Sequence, residues 1–401
     1  MSLLGRIALA TAILWCILVE VAVAFVMRNF GFEIDGDWFL LISASDPHEV
    51  MRFCSLHAGS IAVCVVLIVI LSGLCCWTVF KVKGRWLPIL ALAFLAYAGV
   101  RSYSWGAVQR WKPVYIAFDT LRSTGEYREL GKAGAWTPER AKATRPARKD
   151  APNLVYVLGE SLTTDRMDLY GYDKPTTPQL RKLDGQFARL GPLQAAYPDT
   201  ARGLRVLLTE ATRERGSRAG VTLPVVLRQQ GYRTVLVSAQ RHWERYCGIE
   251  QMIFAACEKR LYLNELKEGA FYDTDLLPIV HREMASSDGR PFALFVHMMG
   301  SHHNYTWCVP PEYAANEGLD DYDRTVRHTD AVLAELIESL PPRTLFVYVS
   351  DHGESPSTGK SRAVWDPSTW KVPLLISPPE AATAFTNGYD HVFSDIQSAL
   401  N

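Results

Sequence analysis

Asp351 and His352 stand side by side, separated only by Ser350 from an apolar run at residues 345–349. A carboxylate beside an imidazole offers a hard oxygen and a borderline nitrogen, a pairing that suits zinc. Glu160 closes a second apolar run, 154–158, in the sequence Gly159-Glu160-Ser161. A third run, 292–296, ends at His297 and leads into a loop that carries Gly300, Ser301, His302 and His303. Glu160, Asp351 and His352 could together hold one cation and leave a position open for a substrate or nucleophile. His302 and His303 suit phosphate binding, protonation of a leaving group, or a second metal. Thr200 precedes a helical run, where backbone N–H groups can hold an anion. Metal coordination would lower the pKa of its hydroxyl enough for attack at neutral pH. Plainer readings stand beside these. Asp-His-Gly is ordinary turn chemistry, histidines on a polar loop can be mere surface, and Asp199 or Thr200 can simply cap a helix.

For these residues to meet, the runs that carry them must be neighbours in a sheet. Short runs rich in β-branched and aromatic residues form strands buried on both faces of a parallel sheet. Between them, Thr222 caps a helix that Gly231 stops, and 234–238 reads as a strand. Residues 273–285 read as a helix. Residues 322–340 read as a long amphipathic helix with Val326, Val332, Leu333, Leu336 and Ile337 on its apolar side. A last strand covers 372–376. This alternation predicts an α/β domain over residues 151–401, a mostly parallel sheet flanked by helices. The carboxyl ends of such strands form the crevice where ligands bind.

Ahead of this domain the chain is apolar. Residues 4–26 are apolar apart from Arg6 and Glu20, residues 57–80 carry no Asp, Glu, Lys or Arg, and 86–100 continue the pattern. Three transmembrane helices within residues 1–105 are expected, with the first an uncleaved anchor rather than a leader. Glu20 would sit within that span, at a functional position or on its packed face. Lys81, Lys83 and Arg85 mark the loop between spans two and three as cytoplasmic, so everything after Trp105 lies outside. Residues 106–150 are expected as a linker, first a helix at the membrane surface and then an extended connector. The 42 basic residues match the 42 acidic ones, which gives no reason to invoke nucleic acid. Cys16, Cys64, Cys75 and Cys76 fall in the spans as small apolar residues. Cys54, Cys247, Cys257 and Cys308 face the oxidising side, and the close pair Cys247 and Cys257 is the first candidate for a disulfide.

With these elements in order, the chain resembles the phosphoethanolamine transferases of bacterial envelopes, a branch of the alkaline phosphatase and sulfatase superfamily. The likeness rests on residues 153–161, on Gly171-Tyr172 with Thr176-Thr177-Pro178, and on Pro198-Asp199-Thr200. Gly231-Tyr232 with Gln240, the segment His297-Met298-Met299-Gly300-Ser301-His302, Tyr322-Asp323 with Thr329-Asp330 on the long helix, and Ser350-Asp351-His352-Gly353-Glu354-Ser355 complete it. The resemblance implies a zinc ion on Glu160, Thr200, Asp351 and His352, with a second zinc left open. It implies Thr200 as the nucleophile, His302 as a second catalytic group, and His297, Ser301, His302 and His303 as contacts for the transferred group. The donor would be phosphatidylethanolamine and the acceptor an envelope glycan or lipopolysaccharide component. The site would face the periplasm from a multi-pass protein of the inner membrane. The family pattern also places a histidine after the Asp-His-Gly-Glu-Ser motif, but residues 356–370 contain none. His303 or Asp366 could take that place, or the role is lost. A hydrolase of the same superfamily and a catalytically impaired scaffold are the alternatives.

Overall fold

The structure is a computed structural model that describes residues 3–29, 50–51, 54–55, 57–81, 112–212, 221–240, 249–314, 318–356, 366–386 and 388–400. The chain divides into two compact units, Met1–Gly125 and Glu126–Asn401.

In the first unit, helices α1 (Leu3–Asn29) and α2 (Ala58–Lys81) pair through Ala10, Cys75 and Val79, with Leu9, Ile13, Leu14 and Ile17 packed around them. Each contains a 24-residue apolar stretch, Leu3–Val26 and Ala58–Lys81. At about 1.5 Å per residue such a stretch exceeds the roughly 30 Å of a bilayer's hydrocarbon. Both are therefore candidate membrane helices. Val63, Val66, Val69, Ile70, Leu74 and Trp77 stand exposed on α2, an apolar surface that water does not favour. The third expected span, residues 86–100, lies outside the described residues, as do Lys83 and Arg85.

Helix α3 (Lys112–Gly134) crosses the division. Its last turns belong to the second unit, where Tyr127, Leu130 and Ala133 are buried and Glu126 pairs with Arg205 at 3.5 Å. The stretch from 131 to 150 differs from the extended connector read from the sequence. A short helix, Pro138–Lys142, follows with Thr137 as its cap, and Arg145 N donates to the Gln229 carbonyl at 2.8 Å. Within this stretch Arg140 donates to the carbonyls of Lys132 and Ala133, and Arg148 pairs with Asp150 at 2.8 Å.

The second unit is built on seven strands: β1 (Asn153–Gly159), β2 (Ala188–Gln194), β3 (Arg233–Ser238), β4 (Lys259–Tyr262), β5 (Phe292–His297), β6 (Thr344–Ser350) and β7 (Lys371–Ser377). Their order is β2-β7-β6-β1-β5-β3-β4. The five strands β6-β1-β5-β3-β4 run parallel, while β7 is antiparallel to both β6 and β2. The expected mostly parallel α/β sheet is present. β1, β5 and β6 are buried almost end to end, which is why they read as unbroken apolar runs rather than alternating ones. Helices α4 (Thr200–Leu208), α5 (Leu223–Gln229), α6 (Leu277–Ala285), α7 (Asp321–Glu338) and α8 (Val392–Leu400) belong to this unit. α7 buries Tyr322, Val326, Val332, Leu333, Leu336 and Ile337 in the same core as Val155, Val157, Leu294, Val296 and Phe346.

Candidate active site

Strand register brings the three polar clusters together. Gly159 is paired with Ser350, and Leu158 is paired with His297. The next residues, Glu160 and Asp351, therefore leave the sheet side by side, with the 298–303 loop on the other flank of β1. This is the carboxyl edge of the parallel strands, where the two neighbours of β1 diverge.

Glu160, Asp351 and His352 place one ligand atom each within 4.8 Å of one another, and all three are buried. His352 Nδ1 lies 2.7 Å from the Gly353 carbonyl, which can only accept, so Nδ1 carries the proton. In the neutral ring Nε2 then presents its lone pair to Glu160 Oε1 at 3.4 Å and Asp351 Oδ2 at 3.5 Å. Two carboxylates and an imidazole lone pair converging away from water form a cluster that a cation would neutralise. One nitrogen and several oxygens, with a fourth position beside them, match the donor set of zinc. The residues present fit the metal.

Asp351 is locked in place. Its Oδ1 accepts from Ser161 N at 3.0 Å and from His352 N at 2.7 Å, which leaves Oδ2 for the cluster. Ser161 occupies a left-handed backbone conformation, φ 57°, which costs a non-glycine residue about 1–3 kcal/mol unless its surroundings impose it. They do so here. Ser161 Oγ donates to Glu160 Oε1 at 2.6 Å, and Tyr322 Oη donates to the Ser161 carbonyl at 2.7 Å while accepting from Thr163 N at 2.9 Å.

Thr200 is the first residue of α4, and Asp199 is its cap, accepting from Arg202 N at 3.0 Å. The capping role falls to Asp199, so the Thr200 hydroxyl is left to donate to Glu160 Oε2 at 2.9 Å. Burial alone would raise the Asp199 carboxyl, but the Arg202 guanidinium, 2.7 Å away, and the Arg202 backbone N–H hold it below its ordinary value. α4 reaches this position through Gly203. A Cβ there would lie 2.7 Å from the Asp351 carbonyl oxygen and 3.2 Å from Tyr389 Oη, whose hydroxyl donates to that same carbonyl.

The four residues His297, Ser301, His302 and His303 differ in burial. His297 is 1 % exposed, with Nδ1 3.2 Å from Glu250 Oε1. Burial disfavours its charge, but Glu250, with Glu160 and Asp351 adding, holds the imidazole above its usual value. Ser301 is buried. Its N–H donates to the Glu160 carbonyl at 2.9 Å, and its Oγ accepts from Thr325 Oγ1 at 2.6 Å. His302 and His303 remain half-buried, His302 Nδ1 within 3.2 Å of the His303 carbonyl and the His303 ring edge-on to Tyr305. Asp366 caps a short turn by accepting from Ser368 N at 2.9 Å, and residues 357–365 lie outside the described ones. Cys257 is a buried free thiol, and its expected partner Cys247 is likewise outside the described residues.

Sequence reasoning missed Tyr322, Thr325, Tyr389 and Asp273 as parts of this region. Asp273 is fully buried and accepts from Met299 N at 2.7 Å and Gly300 N at 2.8 Å. Burial pushes its carboxyl up to about 6, against those two bonds and the nearby His297. Its partners are backbone groups, which leave no mark in a sequence.

A family model described as Sulfatase matches residues 152–397. The phosphoethanolamine transferase EptC of Escherichia coli (strain K12) is 24% identical over 375 residues, 81% of this chain and 65% of its own length. The chain thus spans slightly less than two thirds of that relative. The phosphoethanolamine transferase CptA of Salmonella typhimurium is 24% identical over 403 residues, 87% of this chain and 69% of its own. Among solved structures, the integral membrane lipooligosaccharide phosphoethanolamine transferase A (EptA) from Neisseria meningitidis shares the fold with a TM-score of 0.61. It is 14% identical and covers 98% of this chain and 84% of its own. The zinc complex of the C-terminal periplasmic domain of Escherichia coli EptC gives a TM-score of 0.55 at 23% identity, over 64% of this chain and 86% of its own.

Proposed function

This chain belongs to the sulfatase family, and from that premise we propose that it transfers phosphoethanolamine from phosphatidylethanolamine to an envelope glycan or lipopolysaccharide acceptor through Thr200. The observation that carries this reading is the Thr200 hydroxyl donating to Glu160, which shares one buried cluster with Asp351 and His352. Relatives named phosphoethanolamine transferases support the transferred group.

Glu160, Asp351, His352 and the Thr200 oxygen would hold one zinc ion. When bound, zinc stabilises an alkoxide and the charge that builds on phosphorus. In the first half-reaction the Thr200 hydroxyl gives its proton to Glu160, its oxygen forms a bond to phosphorus, and the bond to the diacylglycerol oxygen breaks. His302, on the half-buried loop beside the cluster, protonates that leaving oxygen. In the second half-reaction an acceptor hydroxyl gives its proton to His302 as its oxygen bonds to the same phosphorus, the bond to the Thr200 oxygen breaks, and Thr200 regains its hydroxyl with the proton held by Glu160. His303, beside His302, contacts the transferred group, whereas the buried His297 and Ser301 hold their loop. The apolar helices of residues 1–105 would anchor the protein in the inner membrane, with residues 151–401 in the periplasm and the lipid donor at high local concentration.

The test uses the whole chain in detergent with fluorescent phosphatidylethanolamine. Diacylglycerol release and a phosphoethanolamine adduct on Thr200 are expected in the wild type and absent in Thr200→Ala. Zinc-loaded protein that never modifies Thr200 would overturn the transferase reading, and steady turnover without any acceptor would replace it with a hydrolase.

A further inference from the structure

The loop 298–303 touches Glu160 of the proposed metal cluster through its backbone. Ser301 N donates to the Glu160 carbonyl at 2.9 Å, and Met298 N donates to the Leu158 carbonyl at 3.0 Å. Gly300 sits at φ 54°, where a Cβ would lie 2.6 Å from the Glu160 carbonyl oxygen and 3.0 Å from Glu160 N. The loop is thus pressed onto the residue that bridges Thr200 and His352. Side chains outside the loop, Thr325 on Ser301 among them, also hold it there. Gln240 Nε2 donates to the Met298 carbonyl at 2.7 Å. Asp273, from the turn that starts α6, takes both the Met299 and the Gly300 N–H.

We infer that Asp273 is a positioning residue: by taking the Met299 and Gly300 N–H groups on its two sides, it fixes the 298–303 loop against Glu160 and so sets where the His302 ring stands relative to the Thr200–Glu160 pair. This rests on the transferase reading for the role of His302, though not for the hold on the loop.

A carboxylate is the group this task requires. Two N–H donors point at it from successive residues, and only an acceptor on both sides satisfies both. An amide presents one acceptor and one donor, so Asp273→Asn must set an N–H against an N–H in a buried site. The loop then gives way on the side of Met299 or of Gly300. A near-attack geometry loses rate steeply with displacements of about 1 Å, so the effect falls on turnover more than on lipid binding.

Asp330 supplies the matched control. It too is buried on a fold element and accepts two successive backbone N–H groups, Gln179 at 2.9 Å and Leu180 at 2.8 Å, but these lie outside the metal cluster and its loop. A merely structural contribution would make Asp273→Asn and Asp330→Asn alike.

The experiment compares the two variants and the wild type as whole chains in detergent, by amide hydrogen exchange, zinc content and diacylglycerol release. Asp273→Asn is expected to exchange faster at residues 298–303, to keep its zinc, and to lose about tenfold or more in kcat with KM within about twofold. Asp330→Asn is expected to loosen residues 179–180 and leave kcat near wild type. If Asp273→Asn does not fold, Asp273→Ser, which keeps an acceptor oxygen in less volume, carries the same expectations. Unchanged exchange at 298–303, or equal kcat losses in the two variants, would overturn the inference. A wild type without transfer activity would sink the transferase reading alone, because loop exchange still decides the role of Asp273.

Discussion

The Thr200 hydroxyl donates to Glu160 at 2.9 Å, and it does so because Asp199 rather than Thr200 caps the helix that begins there. The branched side chain of Thr200 also restricts χ1, so the oxygen is aimed before any substrate arrives. Thr200→Val keeps the branch and volume but not the hydroxyl, and it should abolish the phosphoethanolamine adduct. Thr200→Ser keeps the hydroxyl but frees χ1, and a loss of roughly tenfold in kcat is expected from poorer orientation. Diacylglycerol release separates the two. Equal activity in Thr200→Ser and wild type would show that branching contributes nothing.

The Glu160, Asp351 and His352 cluster should make stability depend on zinc. A ligand that binds only the folded state at 1,000 times its Kd stabilises by about 4 kcal/mol. Thermal unfolding after chelation, then with zinc restored, should show a rise of several degrees. Asp351→Asn should remove most of that rise without lowering the Tm of chelated protein. Its Oδ1 can still accept from Ser161 and His352, and one of two crowded buried carboxylates is gone. A zinc-dependent rise that survives in Asp351→Asn would move the metal elsewhere.

The strands and the cluster were legible in the sequence for one reason. β1, β5 and β6 are buried on both faces, so each is an unbroken apolar run with its polar residue at the carboxyl end. The two missed strands lack that signature. β2 mixes Arg189, Gly191 and Pro192 into a largely exposed edge, and β4 is a four-residue edge with Lys259 and Arg260. Glu160, Asp351 and His352 meet as expected. His297 and Ser301, from a single motif with His302, are buried like the cluster, whereas His302 is half-buried, because a motif fixes the order of residues and not the burial of each. Tyr322 and Asp273 act on backbone groups far along the chain, so no spacing rule points to them.

Gly203 should be intolerant of any side chain. The 2.7 Å approach of a Cβ to the Asp351 carbonyl oxygen meets backbone, which cannot swing away as a side-chain tip can. Overpacking of this kind costs typically about 1–3 kcal/mol. Relief would come by moving α4, and with it Thr200. Gly203→Ala should therefore lower both urea stability and kcat. Gly125, a helical glycine with nothing within 4 Å of its added Cβ, is the contrast, and Gly125→Ala should be neutral or mildly stabilising. Matching effects of the two substitutions would rule out the close approach at Gly203.

Tyr322→Phe should expose the dependence of the Glu160 turn on one hydroxyl. That oxygen donates to Ser161 and accepts from Thr163, so its removal leaves a buried C=O and a buried N–H without it, at about 1–3 kcal/mol. The left-handed Ser161 conformation then loses a restraint, and Glu160 should shift. Weaker zinc retention against a chelator, together with lower urea stability, is the expected pair of effects. Lower stability with unchanged zinc retention would confine Tyr322 to the core.

Asp330 gives the pH dependence its sign. Burial raises its carboxyl from 3.8 to about 6, against the Gln179 and Leu180 N–H groups and Arg327, with Asp168 adding to the rise. A carboxyl whose folded pKa is raised contributes stability that is fully present below its unfolded pKa and is lost as pH rises through the folded value. Going from pH 5 to pH 7, the wild type must ionise Asp330 inside the fold, whereas the unfolded chain is already ionised above 3.8. A shift of that size corresponds to about 3 kcal/mol at full ionisation, an order-of-magnitude figure. Asp330→Asn cannot titrate, so the other carboxyls common to both proteins cancel when the two are compared. The stability difference, wild type minus Asp330→Asn from urea unfolding, should therefore begin to shrink as pH rises through 3.8 and should level off above about 6. A difference independent of pH would mean that Asp330 keeps an ordinary pKa, and that its two N–H bonds outweigh its burial.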